Sequence, residues 1–336
     1  MKKLLVTLGP ASLSPDIIKA MSAYSPYVFR LNMSHVSLED LPRSIRLIQE
    51  ATDVPVCIDS EGAQVRTHSM QGGQCIFAEN DEIEIHSDLR EGTSKALSIT
   101  PAGITAELRE GDILRPDWHG VAVRVIRAGN GTVTGKVECG GAVASRKGID
   151  VSRSLPLAAI TPKDREAIRI GREMNVRHYA LSFAGSADQV REFRALTGPE
   201  ARIISKLESM DALKNLVDVL NETDEALIDR GDLSRVVPLA KIPFLQMRIL
   251  ATARALDTPV YVATNLLESM IDNGFPTRAE ANDVVSSILM GASGLVLAAE
   301  SAMGKHPVSC VETVRTLMDL CRKWTANTTI DEILMM

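Results

Sequence analysis

Two stretches of this chain put charge where an apolar strand should end. In "RIISKLES" (202–209) a β-branched run stops at Lys206 and Glu208, and in "EALIDRGD" (225–232) a second run leads to Gly231 and Asp232. Glu208 and Asp232, after neighbouring strands, could share one divalent cation, an oxygen-rich shell suited to Mg2+ or Mn2+. Lys206 supplies a movable positive charge, and Arg30 in "YVFRLN" and Arg66 in "AQVRT" supply guanidinium forks. Such a set is what a phosphoryl group requires as its oxygens gain charge in flight. The backbone N–H groups around Gly231 and Asp232, at a helix start, could hold a carboxylate. The substrate these residues point to is a small phosphorylated carboxylate bound through a metal. Asn32, Ser34, Asp59 and Ser60 are further hard oxygen donors able to hold a monovalent cation. The same residue types cap helices, so on the residues alone both readings stay open.

Taken singly, a lysine or aspartate after a strand is a solvated loop residue or a helix cap. Convergence argues otherwise, because Ser182, Thr264, Asn265, Glu300 and Ser301 also follow apolar runs. The elements must therefore bring strand ends together. Runs of strand length, "KLLVTLG" from Lys3, "YVFRLN" from Tyr27 and "VPVCID" from Val54, alternate with helical spacing in "SPDIIKAMSAY" and in "SLEDLPRSIRLIQEA", where Pro42 sits in the first turn. Residues 68–152 differ: short alternating strands, many glycines and an Asn-Gly turn at Asn130 and Gly131 predict an all-β insertion. Alternation returns with a helix from Thr161, then "RHYALSF", the helix "SADQVREFRAL", "RIISK", the helix "SMDALKNLVDVLN" and "EALIDRGD". A helix from about Val237 to Leu256, "PVYVAT", the helix "TRAEANDVVSSILMG", "GLVLAAES" and a helix from His306 to about Trp324 complete the series.

Three strands before the insertion and five after it predict a closed (β/α)8 TIM barrel over residues 1–67 and 153–336, with a β-barrel-like lid domain at 68–152 inserted after strand 3. An open doubly wound sheet would carry GxGxxG after its first strand, which "LVTLGPASLS" lacks. In a barrel the C-terminal strand ends share one mouth, and that is where chemistry collects.

The composition narrows the partners. A net charge of −6 offers no global basic field for nucleic acid or an anionic membrane, so an anionic substrate needs a local cationic site. The apolar run near the start is cut short by Gly9 and Pro10, and no stretch reaches membrane length, which predicts a cytoplasmic protein. The five cysteines, Cys57, Cys75, Cys139, Cys310 and Cys321, form no CxxC pair and read as small hydrophobes.

In order and spacing, "TLGPAS", "FRLNMSH", "IDSEGAQVRT", "IISKLES", "DRGDL", "VATNLLESM", "PTRAEANDV" and "AAESAMGKHPV" resemble the motif series of the pyruvate kinase family. The resemblance implies phosphoryl transfer from phosphoenolpyruvate to ADP, giving pyruvate and ATP, with Mg2+ and usually K+. It implies that Lys206 stabilises the phosphoryl group and the developing enolate, that Glu208 and Asp232 bind the divalent metal, and that Arg30 and Arg66 hold the phosphate. Thr264 with the Gly231 and Asp232 backbone would orient the carboxylate; Asn32, Ser34, Asp59 and Ser60 would hold K+; Asn32, His35 and Lys163 would contact nucleotide. The helices around "LLESMIDNGFPTRAE" resemble a subunit contact, implying a homodimer. A C-terminal effector domain, with its sugar-phosphate control, is expected to be absent.

Several positions depart from the family pattern. Glu61, Ala63 and Gln64 replace Lys, Pro and a Glu tied to K+ dependence; Ala298 replaces a hydroxyl that helps deliver a proton to the enolate; Ser234, Arg235 and Val236 alter the loop after Asp232. Asp117 and His119 are either residues reaching the site from the lid or plain turn residues. Besides pyruvate kinase activity, two readings therefore stand: an enzyme passing an enol phosphate or phosphonate to another acceptor, and a metabolite-binding homologue without turnover.

Overall fold

The computed structural model describes residues 2–62, 64–116, 120–129, 132–153 and 155–336. Ala63, Asp117, His119 and the Asn130-Gly131 turn lie outside the described residues. The chain divides into two compact units, Met1–Gly62 with Ala159–Met336, and Ala63–Ala158.

The first unit is a (β/α)8 barrel. Its parallel strands are β1 (Lys3–Leu8), β2 (Val28–Asn32), β3 (Val56–Asp59), β4 (His178–Leu181), β5 (Arg202–Leu207), β6 (Glu225–Asp229), β7 (Val260–Ala263) and β8 (Gly294–Leu297). Each pairs with its sequence neighbours, and β8 closes on β1. Side chains alternate across a strand, so each strand serves two cores. Leu4, Val6, Phe29, Leu31, Ile203 and Ile228 belong to the large core that the helices cover. Leu5, Val28, Cys57, Ala180, Ile204, Leu227 and Val296 form a separate apolar cluster enclosed by the strands. Two residues further along β1 to β6, the same inward direction is taken by Thr7, Arg30, Asp59, Ser182, Lys206 and Asp229, whereas β7 and β8 place Ala263 and Ala298 there. A polar layer thus lies directly above an apolar one, set by the period of two.

The helices differ from the sequence expectation in two places. The helix expected from about Val237 to Leu256 starts later: a short helix, Arg230–Val236, and a 3-10 turn at Leu239–Lys241 come before a helix over Ile242–Ala255. Val237 is extended (φ −129°) because it precedes Pro238, which disfavours helical backbone before it, and Pro243 falls in the first turn of the new helix. The segment "SMDALKNLVDVLN" likewise makes two helices, Met210–Lys214 and Leu216–Glu222, separated at Asn215, whose side-chain amide donates to the Gly185 carbonyl at 2.7 Å.

The second unit is built of strands, with 3-10 turns at Gln71–Gly73 and Ile104–Glu107 its only helical turns among the described residues. A seven-stranded sheet runs in the order Ile149–Val151, Ile113–Pro116, Ala122–Gly129, Thr132–Cys139, Glu82–His86, Ala96–Thr100 and Arg66–Thr67. Gln74–Phe77 pairs with Gly141–Ala144 in a second sheet, and the unit has its own core around Phe77, Ile85, Leu97 and Val123. No helix among the described residues is long and apolar enough to cross a membrane. All five cysteines are free; Cys57 and Cys310 are buried as small hydrophobes, whereas Cys139 is exposed.

Candidate active site

The polar layer of the barrel is a chain of contacts running from strand to strand. Arg30 on β2 donates through Nε to Thr7 Oγ1 and through Nη1 to Asp59 Oδ2, both at 2.9 Å. Ser182 Oγ, just past β4, lies 3.4 Å from Asp59 Oδ1 and accepts from Lys206 Nζ at 3.2 Å. The Lys206 ammonium is also 3.2 Å from Glu208 Oε2 and 3.7 Å from both Asp59 Oδ2 and Asp229 Oδ2. Burial alone would push its pKa down, but Asp59, Glu208 and Asp229 outweigh it and hold the ammonium above the usual lysine range. Lys206 is therefore a permanent buried cation.

Glu208, Asp229 and Asp232 each turn a carboxylate oxygen to within 4.8 Å of the others. Glu208 Oε1 accepts from the Phe183 N–H at 2.8 Å. Its Oε2 is buried and makes no hydrogen bond among the described residues. Burial pushes Glu208 above the usual carboxylate range, Asp232 and Asp229 adding to it against the pull of Lys206. Asp229 is held low, since Lys206, the Thr264 hydroxyl and Arg30 overcome its burial. Glu208 Oε2, ion-paired with Lys206 at 3.2 Å and facing two more carboxylates, belongs to an oxygen set that fits a hard divalent cation. Asp229 was missed by the sequence reading, which went past it to Gly231 and Asp232. Its signal was the alternation: Asp229 stands two residues beyond Leu227 as Lys206 stands two beyond Ile204.

The backbone beside this cluster is held in an unusual form. Thr264 follows β7 with φ +76°, a left-handed conformation that a β-branched residue rarely adopts. Its Oγ1 donates to Asp229 Oδ1 at 2.6 Å, and its carbonyl accepts from Arg230 Nη2, also at 2.6 Å. Arg230 is anchored in turn by Asp283, 2.8 Å away. Gly231 stands so close that an added Cβ would lie 2.8 Å from Thr264 Cγ2. Asp229 caps the short helix Arg230–Val236, which places the Gly231 and Asp232 N–H groups at its start. Glu300, which the sequence puts at the mouth, is instead a tie: its two oxygens accept from the Leu267 and Ala298 N–H groups at 3.2 and 2.9 Å.

Next to Arg30 opens a cavity of about 680 Å3 that Asn32 and His35 also line, with Leu8, Leu13, Val36, Leu47 and Met303 as its apolar wall. Lys163 does not line it; its ammonium donates to the Met33 carbonyl and pairs with Glu61 at 3.5 Å. Asp164 fixes this corner by capping its own helix at Thr161 and accepting from the Glu61 N–H at 2.7 Å. Asn32 and Asp59 are register partners on β2 and β3. Asn32 Oδ1 accepts from the Ser34 N–H, and Ser60 Oγ from the Ser182 N–H, both at 2.9 Å. Arg66 belongs to the second unit, where its Nη1 lies 3.3 Å from the Arg146 carbonyl.

A family model described as the pyruvate kinase barrel domain matches residues 1–311. The chain belongs to the pyruvate kinase family. The pyruvate kinase of Methylorubrum extorquens is 31% identical over 323 residues, covering 94% of this chain and 68% of the relative. That of Thermotoga maritima is 30% identical over 321 residues, covering 93% and 69%. The plastidial pyruvate kinase 3 of Arabidopsis thaliana is 32% identical over 327 residues, covering 94% and 57%. Against the pyruvate kinase pattern, Glu61, Ser234, Arg235, Val236 and Ala298 are departures on described parts of the barrel unit, and three of them bear on the site. Glu61 pairs with Lys163, Ala298 lines the cavity with a methyl group, and Arg235 stands 3.2 Å from Asp232.

Proposed function

We propose that this chain transfers the phosphoryl group of phosphoenolpyruvate to ADP, forming pyruvate and ATP. One observation carries the reading: the buried Lys206 ammonium is ion-paired with a cluster of three carboxylates, Glu208, Asp229 and Asp232, whose oxygens lie within 4.8 Å of one another. Glu208, Asp229 and Asp232 would hold Mg2+ or Mn2+, which when bound draws charge from substrate oxygens. Lys206 and Arg30 bind the phosphoryl oxygens, and Lys206 also faces the oxygen on which the enolate charge develops. The Thr264 hydroxyl and the Gly231 and Asp232 N–H groups orient the carboxylate. The Thr264 turn is held by Arg230 before substrate arrives, so its backbone stays in place while the hydroxyl turns from Asp229 to the substrate.

The nucleotide takes the cavity beside Arg30, with Asn32 and His35 at the phosphates, the apolar wall for the base and Lys163 nearby. Asn32, Ser34, Asp59 and Ser60 form the K+ site, since they gather on the adjoining ends of β2 and β3. The substrates so proposed are those of the cytoplasm, and that is where we expect the chain to act. A homodimer is part of the proposal: Leu239, Phe244 and Phe275 are 76%, 71% and 85% exposed on the segments following β6 and β7. A monomeric mass by light scattering would contradict it.

A second reading rests on Ala298. Its methyl group cannot relay a proton, so an enolate formed here could go to an acceptor other than a proton. The test is stoichiometry. With phosphoenolpyruvate, ADP, Mg2+ and K+, the first reading expects ATP and pyruvate in equal amounts; with an aldehyde added as a carbon electrophile, ATP exceeding pyruvate, the difference recovered as the adduct of the enolate carbon, supports the second. Binding of phosphoenolpyruvate with neither product overturns both.

A further inference from the structure

The carboxylate cluster is not left without counter-charge, and its two cations differ in how firmly they are fixed. Lys206 serves the Glu208 and Asp229 side from a strand end, with 6% of its surface exposed. Asp232 is served by Arg235, whose Nε lies 3.2 Å from Asp232 Oδ1, each side chain about a quarter exposed. Both sit on the short helix Arg230–Val236, three residues apart, and Ser234 Oγ closes that helix turn by donating to the Gly231 carbonyl at 2.8 Å. The Asp232 oxygen that Arg235 engages belongs to one of the carboxylates a divalent ion would use. A guanidinium beside Asp232 draws on the same negative charge that a divalent cation would use, so the two oppose each other there.

We infer that Arg235 is the resident counter-ion of this cluster and sets its divalent-cation affinity, since an incoming ion must take Asp232 from Arg235. The inference rests on the assignment of Glu208, Asp229 and Asp232 as metal ligands, and it gives the altered loop after Asp232 a specific effect. Lys206 cannot be the adjustable partner, because it is buried and touches three carboxylates at once. Arg235, on a flexible stem with part of its surface in water, can swing away. The free protein should thus bind the metal weakly, and increasingly well when Arg235 is removed.

The experiment is a titration of the full chain with Mn2+ alone, free Mn2+ being read by electron paramagnetic resonance. Arg235→Met should tighten the Kd about tenfold, which is ~1.4 kcal/mol, and Arg235→Lys should stay nearer to the parent. The gain should shrink at high salt, because the competing pair is partly exposed. A Kd in Arg235→Met equal to or weaker than the parent overturns the inference, leaving Arg235 as a staple of its helix, and a thermal melt of each variant checks that it is folded. Glu208→Gln separates the two claims: if it fails to weaken Mn2+ binding, the ligand assignment itself falls, and the inference with it. If Glu208→Gln abolishes binding while Arg235→Met changes nothing, only the role of Arg235 is lost.

Discussion

Replacing Lys206 by Met should damage folding as well as turnover. The ammonium lies 3.2 Å from Glu208 and 3.7 Å from Asp59 and Asp229, all within the barrel unit. At an effective dielectric of about 20, each contact is an attraction of about 4–5 kcal/mol before desolvation is subtracted. Desolvation of the buried ammonium offsets much of that sum, but deleting one partner leaves the carboxylates buried and uncompensated, a loss of about 3–5 kcal/mol. Equilibrium urea unfolding followed by circular dichroism, with metal chelated, measures it. Adding Asp229→Asn removes one of the stranded charges, so the double variant should be more stable than the sum of the single changes by about 1–3 kcal/mol. Turnover should fall by about a thousandfold or more in the single variant. A Lys206→Met protein that unfolds at the parental urea concentration would refute the reasoning, because the ammonium would then not be what holds the three carboxylates together.

Thr264→Gly should be more stable than Thr264→Ala by about 1 kcal/mol, since both lose the Asp229 contact and only glycine relieves φ +76°; the order of their thermal midpoints decides it. Gly231→Ala forces a methyl to within 2.8 Å of Thr264 Cγ2 and should destabilise by about 1–3 kcal/mol, with a parental melting curve as the contrary result. His178, at the other end of the barrel strands, packs edge-on against Tyr27 near Glu225, Arg202 and Lys3, and burial holds its pKa below the ordinary value. The unfolded ring takes a proton near pH 6.5 while the folded one stays neutral, so its stabilising effect is present above about 6.5 and lost as pH falls below it. His178→Phe should flatten that loss, and an unchanged pH profile of the thermal midpoint would contradict it.

The strand ends were legible because chemistry in a barrel must come from one end of the sheet, and "RIISK" and "EALID" carry the period of two openly. Asp229 is masked by the glycine and aspartate that follow it, although the alternation that exposes Lys206 exposes it equally. The late start of the helix after Val237 was also readable, since Pro238 disfavours helical backbone before it. Other features have no sequence signal. The left-handed backbone of Thr264 is imposed by Arg230 and Asp229 from other parts of the chain. Glu300 follows an apolar run like the site residues, yet two backbone N–H groups absorb its oxygens. Arg235 could be placed three residues from Asp232 on paper, but only the fold shows that it faces the carboxylate.

The most direct test of the account is phosphorus NMR of phosphoenolpyruvate mixed with ADP, Mg2+, K+ and the protein, run beside the Lys206→Met variant. The account predicts that the phosphoenolpyruvate resonance declines as the γ-phosphate of ATP grows, and that the variant leaves both unchanged. A phosphoenolpyruvate signal that persists in the presence of the parent protein, although Mn2+ relaxation shows it bound beside the carboxylates, would contradict the claim that this site transfers the phosphoryl group to ADP.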